Sequence, residues 1–416
     1  MSAPVSARRR FGPPVLMGGG LAMVGAAGYA FLALSGHTLS TGDAAAVASL
    51  YLLINIIGPG VFSALEQETS RTISAGAAGA AFRRRAARAG AGLLAVVVVL
   101  LLAASPVLVP AAFGGRSALL VALILGSATS AAVYLVRGLL GGQRRFGGYA
   151  ATLAAEGLGR LLPCVLVAVF AAPGGAVYGL LFAAGSAFGA LAGLPVLRGG
   201  AALPVGEPSP TGMTRAIYVL VGSTLLAQLV ANLGPVVVSG RLTADTATAA
   251  AFASAFVLVR IPLFVFAPVQ AMLLPTLTAA ATRGDFADFR RKLRLILSLV
   301  AAAGFVGVVL SFTLGSWAVR VFFGARVALP GNVLGLLALG TIALMVAQVL
   351  QPALVATGLH RAATVSWAVG SAVLTGLLFL PGSPLWAAVT AQIAGSVLVV
   401  AGMTVALVRA QSGKKR

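Results

Sequence analysis

Twelve apolar stretches of about 20 residues follow one another along this 416-residue chain, joined by short polar connections. An α-helix rises about 1.5 Å per residue, so each stretch has the length that crosses a ~30 Å hydrocarbon core. Helices can satisfy their own backbone hydrogen bonds in lipid, which irregular chain cannot. The stretches cover residues 13–35, 44–65, 91–112, 118–140, 150–171, 176–197, 216–238, 249–280, 295–316, 331–356, 362–380 and 385–408. The eighth is long for one crossing and holds Pro262, Pro268 and Pro275, so a kinked or tilted helix is expected there. The longest polar stretches, near residues 66–90 and 198–215, fall short of the ~50 residues at which a domain with its own core begins. With 9% charged residues against about 25% in soluble domains, the fold class expected is an all-α integral membrane protein with all of its chemistry in the membrane.

The formal charge of +21 would suit a nucleic-acid partner, but the positions of the basic residues argue otherwise. Of 29 Lys and Arg, 23 fall in the termini and alternate connections, 4 fall in the remaining connections, and Arg160 and Arg260 lie inside spans. The 23 include Arg137, three residues inside the end of the fourth stretch, which is grouped with Arg144 and Arg145 of the loop that follows. This is the positive-inside asymmetry, and it places both termini in the cytoplasm of a multi-pass plasma-membrane protein. The basic loops then face anionic lipid headgroups, and no nucleic-acid partner is expected. Arg8, Arg9 and Arg10 ahead of an apolar run imitate a signal peptide, but the further spans make the first one an uncleaved signal-anchor. Only 3 of the 29 basic residues are Lys, and Ala and Gly abound, which reads as the coding bias of a GC-rich bacterium.

The halves look duplicated. Phe82-Arg83-Arg84-Arg85 precedes the third span and Phe289-Arg290-Arg291-Lys292 precedes the ninth, 207 residues later. Six spans per half is an even number, so both halves enter the membrane in the same sense, as a parallel repeat about an axis along the membrane normal. The expected organisation is an N-terminal six-helix lobe over residues 1–200, a cytoplasmic linker over 201–215 with Pro204, Pro208 and Pro210, and a C-terminal lobe over 216–416. Two such lobes facing a central cavity form a transporter plan.

Several short motifs carry a resemblance. Leu39-Ser40-Thr41-Gly42, then Glu66 and Ser70-Arg71 at the end of the second span, the loop Gln143-Arg144-Arg145-Phe146-Gly147-Gly148-Tyr149-Ala150, Glu156-Gly157-Leu158-Gly159-Arg160, and Arg260-Ile261-Pro262 with Pro275 are the residues concerned. Together with span number and loop placement, they make the chain resemble polysaccharide and O-antigen flippases of the multidrug, oligosaccharidyl-lipid and polysaccharide flippase superfamily. The resemblance implies a MATE-like protein of twelve helices in two parallel lobes. It further implies that undecaprenyl-diphosphate-linked oligosaccharide is turned from the cytoplasmic to the outer leaflet for cell-surface polysaccharide. A polysaccharide polymerase or glycosyltransferases are the implied protein partners, and no cofactor is implied.

Polar side chains at membrane depth are costly and so mark function. Arg260 lies 15 residues after Asp245 and 23 before Arg283. That is about 20 Å from one end of its span and about 35 Å from the other, too far to snorkel comfortably either way. A guanidinium keeps its proton and can bind a diphosphate in bidentate fashion. The bland alternative is an Arg that ties backbone carbonyls freed by Pro262 and Pro268. Glu156 and Arg160 share a helix face in the favourable order for an ion pair. Either they form a structural pair near the interface, or Arg160 is a second phosphate ligand and Glu156 orients it or accepts a coupling proton. Asn55, Asn232, Gln228, Gln270, Gln348, Gln351 and Gln392 offer neutral partners for sugar hydroxyls, or glue between helices. Arg83, Arg84, Arg85 and Arg88, with Arg290, Arg291, Lys292 and Arg294, form two cytoplasmic clusters suited to anionic headgroups or to gathering a diphosphate lipid.

Enzymatic readings find little support. No GxxxxGK[ST] phosphate loop is present, His37 and His360 stand 323 residues apart with no metal-ligand spacing, and Cys164 is the single cysteine. Beside the flippase stand two other readings, a cation-coupled small-molecule exporter of the same superfamily and a non-transporting scaffold for polysaccharide assembly. The topology has a direct test in a Cys164→Ser background with a single cysteine at position 412. An impermeant thiol reagent added to intact cells should leave it unlabelled, and labelling would overturn the assignment.

Overall fold

The computed structural model describes residues 13–74, 79–171, 174–198, 212–263, 266, 277, 280–281 and 283–413. In chain order its helices are α1 (Pro13–Thr38), α2 (Thr41–Ile57), a π-helical turn (Gly58–Phe62), α3 (Ser63–Ser74), α4 (Ala80–Phe113), α5 (Ser117–Gly142), α6 (Phe146–Phe170) and α7 (Gly175–Arg198). The second half continues with α8 (Gly212–Arg241), α9 (Thr246–Leu258), α10 (Phe286–Thr313), α11 (Gly315–Phe323), α12 (Gly331–Ala356), α13 (His360–Leu378) and α14 (Pro384–Gly413). No strand occurs among the described residues, and twelve of the helical segments are long and apolar enough to cross a membrane.

Three boundaries differ from the sequence expectation, each for a physical reason. The second span is one helix of 34 residues, Thr41–Ser74, and continues well past residue 65. Its last turns are polar, yet they satisfy one another. The buried Glu68 carboxylate accepts from Arg71 at 2.6 and 2.7 Å and from the Thr72 hydroxyl at 3.2 Å. The third span begins at Ala80, so Arg83, Arg84, Arg85 and Arg88 occupy the first turns of α4, exposed around the buried Phe82 and Ala86. The ninth begins at Phe286 in the same way. Asp285 caps α10 by accepting from the Asp288 amide at 2.9 Å. Arg290, Arg291 and Arg294 are exposed, Lys292 is half-buried, and Asp288 pairs with Lys292 at 2.7 Å.

The eighth span is not one long helix. α9 ends at Leu258, and the Arg260 amide bonds the Val257 carbonyl at 3.0 Å, tightening the ladder into a turn before the short helical piece 261–263. Pro262 brings no amide to mend the break. Pro268, Gln270 and Pro275 lie outside the described residues, as do 201–211 of the expected linker.

Helix pairing follows the same scheme in the two halves. α7 packs on α5 and α6 as α14 packs on α12 and α13, α4 packs on α5 as α10 on α12, and α1 on α6 as α8 on α13. Most buried apolar residues of α1–α7 gather into one cluster, which Ile217, Val236, Ala253, Val257 and Phe323 of the second half join, and most of those of α8–α14 gather into another. Phe82 sits in the first and Phe289 in the second. α2 and α9 start alike, with Ser40 and Asp245 as N-caps accepting from Asp43 and Thr248 amides. The hydroxyls of Thr41 and Thr246, the first residues of these helices, lie 3.3 Å apart, close to where a two-fold axis between the halves would pass.

Close approach in the first half depends on small residues, as membrane helices without a hydrophobic driving force require. A Cβ added at Gly189 of α7 would lie 2.8 Å from the Thr152 carbonyl of α6, a backbone atom with no rotamer to escape into. At Gly147 it would meet open space. Gly189→Val is therefore expected to cost on the order of 1–3 kcal/mol through overpacking. Thermal unfolding in detergent should show a clearly lowered midpoint for Gly189→Val and little change for Gly147→Ala.

Candidate substrate cavity

Between the halves lies a cavity of about 540 Å³. α1, α6, α8 and α13 start at the face that carries the two arginine clusters, here called the basic face, and line the cavity with their first halves or middles: Leu21 to Tyr29, Leu153 to Arg160, Thr224 to Asn232, and Trp367. The α2–α3 span, α5, α9 and α12 run toward that face and line the cavity with residues from their later portions, among them Gln67, Arg137, Arg260 and Gln351. The cavity thus runs from the middle of the bundle toward the basic face. At the opposite face lies a crevice of about 20 Å³ between the lobes.

The π-helical turn shapes one wall. Gly58 and Pro59 line the cavity, and the Gly60 carbonyl accepts from Thr224 of α8 at 2.6 Å, a bond between the lobes. A π-turn inserts one residue into the helix and redirects the succeeding turns, so Ser63 and Gln67 come to the cavity.

The first lobe supplies a buried ionic network. Glu156 is bound through one carboxylate oxygen by Arg137 of α5 and through the other by Arg160 at 2.6 Å and by the Ser186 hydroxyl of α7 at 2.7 Å. Arg160 also donates to Ser186 at 2.8 Å, and Arg137 donates to the Thr152 hydroxyl at 3.0 Å. Arg137 has the Tyr134 and Tyr149 rings on its flanks, and Tyr149 donates to Glu66 at 2.6 Å. Arg160 stands 4.8 Å from the Phe182 ring centre. Two guanidiniums thus share one carboxylate, and the Arg160 Nε has no hydrogen-bond partner among the described residues.

Arg260 faces this network from the second lobe. It is 7% exposed, lies 3.9 Å from the Phe256 ring centre and donates to Asn232 Oδ1 at 3.2 Å. Asn232 is oriented in turn by donating to Gln228 Oε1 at 2.9 Å. The Nε and Nη2 of Arg260 have no hydrogen-bond partner among the described residues. Among the described residues, the charged side chains lining the cavity are Arg137, Arg160, Arg260 and Glu156, a formal excess of two positive charges. The rest of the polar wall is neutral, with Gln228, Gln348 and Gln351 on the second lobe and Trp367 donating to Gln351 at 3.0 Å.

Arg260, Arg160, Asn55, Asn232 and Glu156 all line this one cavity, and Asn55 is steadied by donating to the Tyr51 carbonyl at 2.8 Å. Gln392 lies away from it, buried and bonded to Ser396 at 3.1 Å. The arginine clusters sit on α4 and α10, outside the cavity lining. Counting Arg137 with a loop was wrong. α5 runs on to Gly142, so Arg137 lies more than a turn inside, buried, on the cavity wall. It stands three residues before the end of an apolar stretch, and a carboxylate on the next helix holds it inside the bundle. Ser186 and Thr152 carried no sequence signal at all. Among the described residues no three His, Cys, Asp or Glu side chains gather as a metal site.

Removing the shared acid strands two buried cations, a loss that in soluble interiors costs about 3–5 kcal/mol. Glu156→Gln should therefore lower the yield of folded protein and its unfolding midpoint in detergent, and adding Arg137→Met should restore part of both. A midpoint unchanged by Glu156→Gln would contradict the network's structural weight.

Comparison with solved structures gives the same fold. A structure described as the inward-facing conformation of a multidrug resistance MATE family transporter of the MOP superfamily aligns over 95% of this chain and 96% of its own, at 12% identity and a TM-score of 0.66. An outward-facing conformation of such a transporter aligns with a TM-score of 0.56 at 12% identity, over 100% of each chain. A variant of the Vibrio cholerae MATE transporter VcmN aligns over 96% of this chain and 97% of its own, at 14% identity and a TM-score of 0.67. A MOP superfamily transporter from Pyrococcus furiosus aligns over 97% and 96%, at 14% identity and 0.56. No family model and no curated protein matches the sequence.

Proposed function

We propose that a chain with the fold of MATE transporters and a cationic, amide-lined cavity is a flippase for a lipid-linked sugar diphosphate, the undecaprenyl-diphosphate oligosaccharide of cell-surface polysaccharide assembly. The observation that carries the reading is Arg260: buried, and among the described residues without a carboxylate partner and with two nitrogens unbonded. A cation left in this state inside a membrane calls for an anion, since an unpaired charge there costs several kcal/mol. A diphosphate offers the oxygens that a planar guanidinium binds in pairs. Sugar hydroxyls find neutral partners in Gln228, Gln348, Gln351 and Asn232. The cavity's position beside the basic face suits loading from the cytoplasmic leaflet, where Arg83 to Arg88 and Arg290 to Lys292 would gather an anionic lipid. Rocking of the two lobes would then present the headgroup to the other leaflet.

The second reading is the cation-coupled small-molecule exporter, favoured by the multidrug description of two structural neighbours. Its coupling site would be Glu156. Both carboxylate oxygens of Glu156 are already held by guanidiniums, so a cation or proton would have to displace one. The cavity's positive excess also opposes cationic cargo. The Pyrococcus furiosus neighbour is itself described as having a binding pocket of reverse polarity that suggests a different function, so pocket charge has been taken as a mark of function within this fold.

Arg260→Ala should reduce complementation of a flippase-null strain at least tenfold at normal membrane abundance, and Arg260→Lys should rescue only in part, because lysine keeps the charge and loses the fork. Full complementation by Arg260→Ala would sink the assignment. If both variants lose folded protein, Arg260 is structural.

A further inference from the structure

The crevice at the face opposite the arginine clusters is closed by an element that the transport reading does not use. α11 is a nine-residue helix, Gly315–Phe323, following α10 after the single residue Leu314. It packs against α9, α10 and α12 of its own half and against α1 of the other half. Gly315, Val319 and Phe323 form its buried side. Trp317, Val321 and Phe322 are 52%, 48% and 55% exposed, with Trp317 and Phe322 in edge contact at 6.0 Å. This exposed apolar strip is continuous with the exposed end of α10, where Val309, Leu310 and Phe312 face outward, through the exposed Leu314 between the two helices. Arg320 is exposed as well.

At its C-terminal end α11 meets α1 backbone to backbone. His37 Nε2 hydrogen-bonds the Val321 carbonyl at 3.2 Å. Gly36 lies so close to the Phe323 carbonyl that a Cβ there would overlap the oxygen at 1.9 Å. Gly324, at φ +63°, faces back. A Cβ on it would meet His37 Nδ1 at 2.8 Å and the Gly36 carbonyl at 2.9 Å. Two glycines thus permit a seal that no other residue would fit. The crevice beside it is lined by Leu39 and Thr41 of the first lobe and Ala250 and Ser254 of the second. Its ~20 Å³ has room for little more than one water.

We infer that α11 is a membrane-surface latch: its Trp317, Val321 and Phe322 side docks into the headgroup region of the leaflet at that face, and its C-terminal turn holds the mouth there shut against Gly36 and His37 of α1. The occupant of the exposed side is lipid because the strip continues the apolar surface of a membrane-spanning helix, and because exposed Trp beside a basic residue is the side-chain chemistry of the membrane interface. The seal joins the two lobes, so any opening of this mouth must break it. Gly36 and Gly324 make it a contact that a single methyl group can undo.

The test uses the whole protein in proteoliposomes of phosphatidylethanolamine and phosphatidylglycerol, in a Cys164→Ser background with Ser254→Cys as reporter in the crevice. Gly36→Ala should raise the rate at which an impermeant thiol reagent modifies residue 254 from the latch face at least fivefold. An unchanged rate in folded protein would overturn the latch. Should Gly36→Ala fail to fold, His37→Cys with Val321→Cys provides the converse. Cross-linking that pair should reduce modification of the Ser254→Cys reporter to background, with reductant restoring it, whereas modification undiminished by the cross-link would overturn the latch equally. Docking is read separately from Trp317 fluorescence, with Trp367→Phe and Trp386→Phe removing the other two tryptophans. Lipids brominated near the glycerol should quench Trp317 strongly. Quenching by aqueous iodide instead would place the strip in water and remove the membrane from the proposal.

Discussion

A charge in hydrocarbon must be paired or reach water, and this constraint organises the molecule. Arg137, Glu156, Arg160 and Arg260 are all under 10% exposed and all line the same cavity. Three cations and one anion cannot be neutralised among themselves. The first lobe settles two of its cations on Glu156, with Ser186 and Thr152 completing their hydrogen bonds. Arg260 has a neutral amide alone among the described residues, and so depends on the cavity. The turn that follows α9 at the same residue and the π-turn in the second span both redirect the chain around that polar space.

The repeat gives this polar space its position. Several spans with the same place in each half take corresponding neighbours, and the second span of each half starts from a capped threonine near the meeting axis of the halves, where Thr41 and Thr246 touch. Beyond this contact toward the basic face the walls separate, and the charged and amide residues line the gap. Toward the other face small residues and α11 close it. One end sealed and the other lined with polar groups is the asymmetry that a carrier needs in one of its states.

Much of this was legible in the sequence. Membrane helices announce themselves by length and hydropathy, because lipid leaves the chain few alternatives. Arg260, Arg160, Glu156, Asn55 and Asn232 stood out since polar groups at depth are rare. The features that stayed hidden depended on neighbours distant in sequence. Arg137 looked like the end of a span until α6 placed Glu156 beside it. Ser186 is an ordinary small residue whose value lies in bridging Glu156 and Arg160. The turns of α3 carry little apolar signal beyond Leu65 and Ile73, and their buried polar groups are satisfied because Glu68, Arg71 and Thr72 bond one another. The interruption of the eighth span was expected from its prolines, and its location at Arg260 was not.

The central claim is that the cavity recognises an anion through unpaired guanidinium groups. Native mass spectrometry of the purified wild-type protein with undecaprenyl diphosphate, undecaprenyl phosphate and undecaprenol addresses it directly, since the three share a tail and differ in headgroup charge. The account predicts that occupancy falls in that order, with the diphosphate bound at least tenfold more tightly than the alcohol. Equal occupancy by all three would show that the tail alone is recognised and would contradict it.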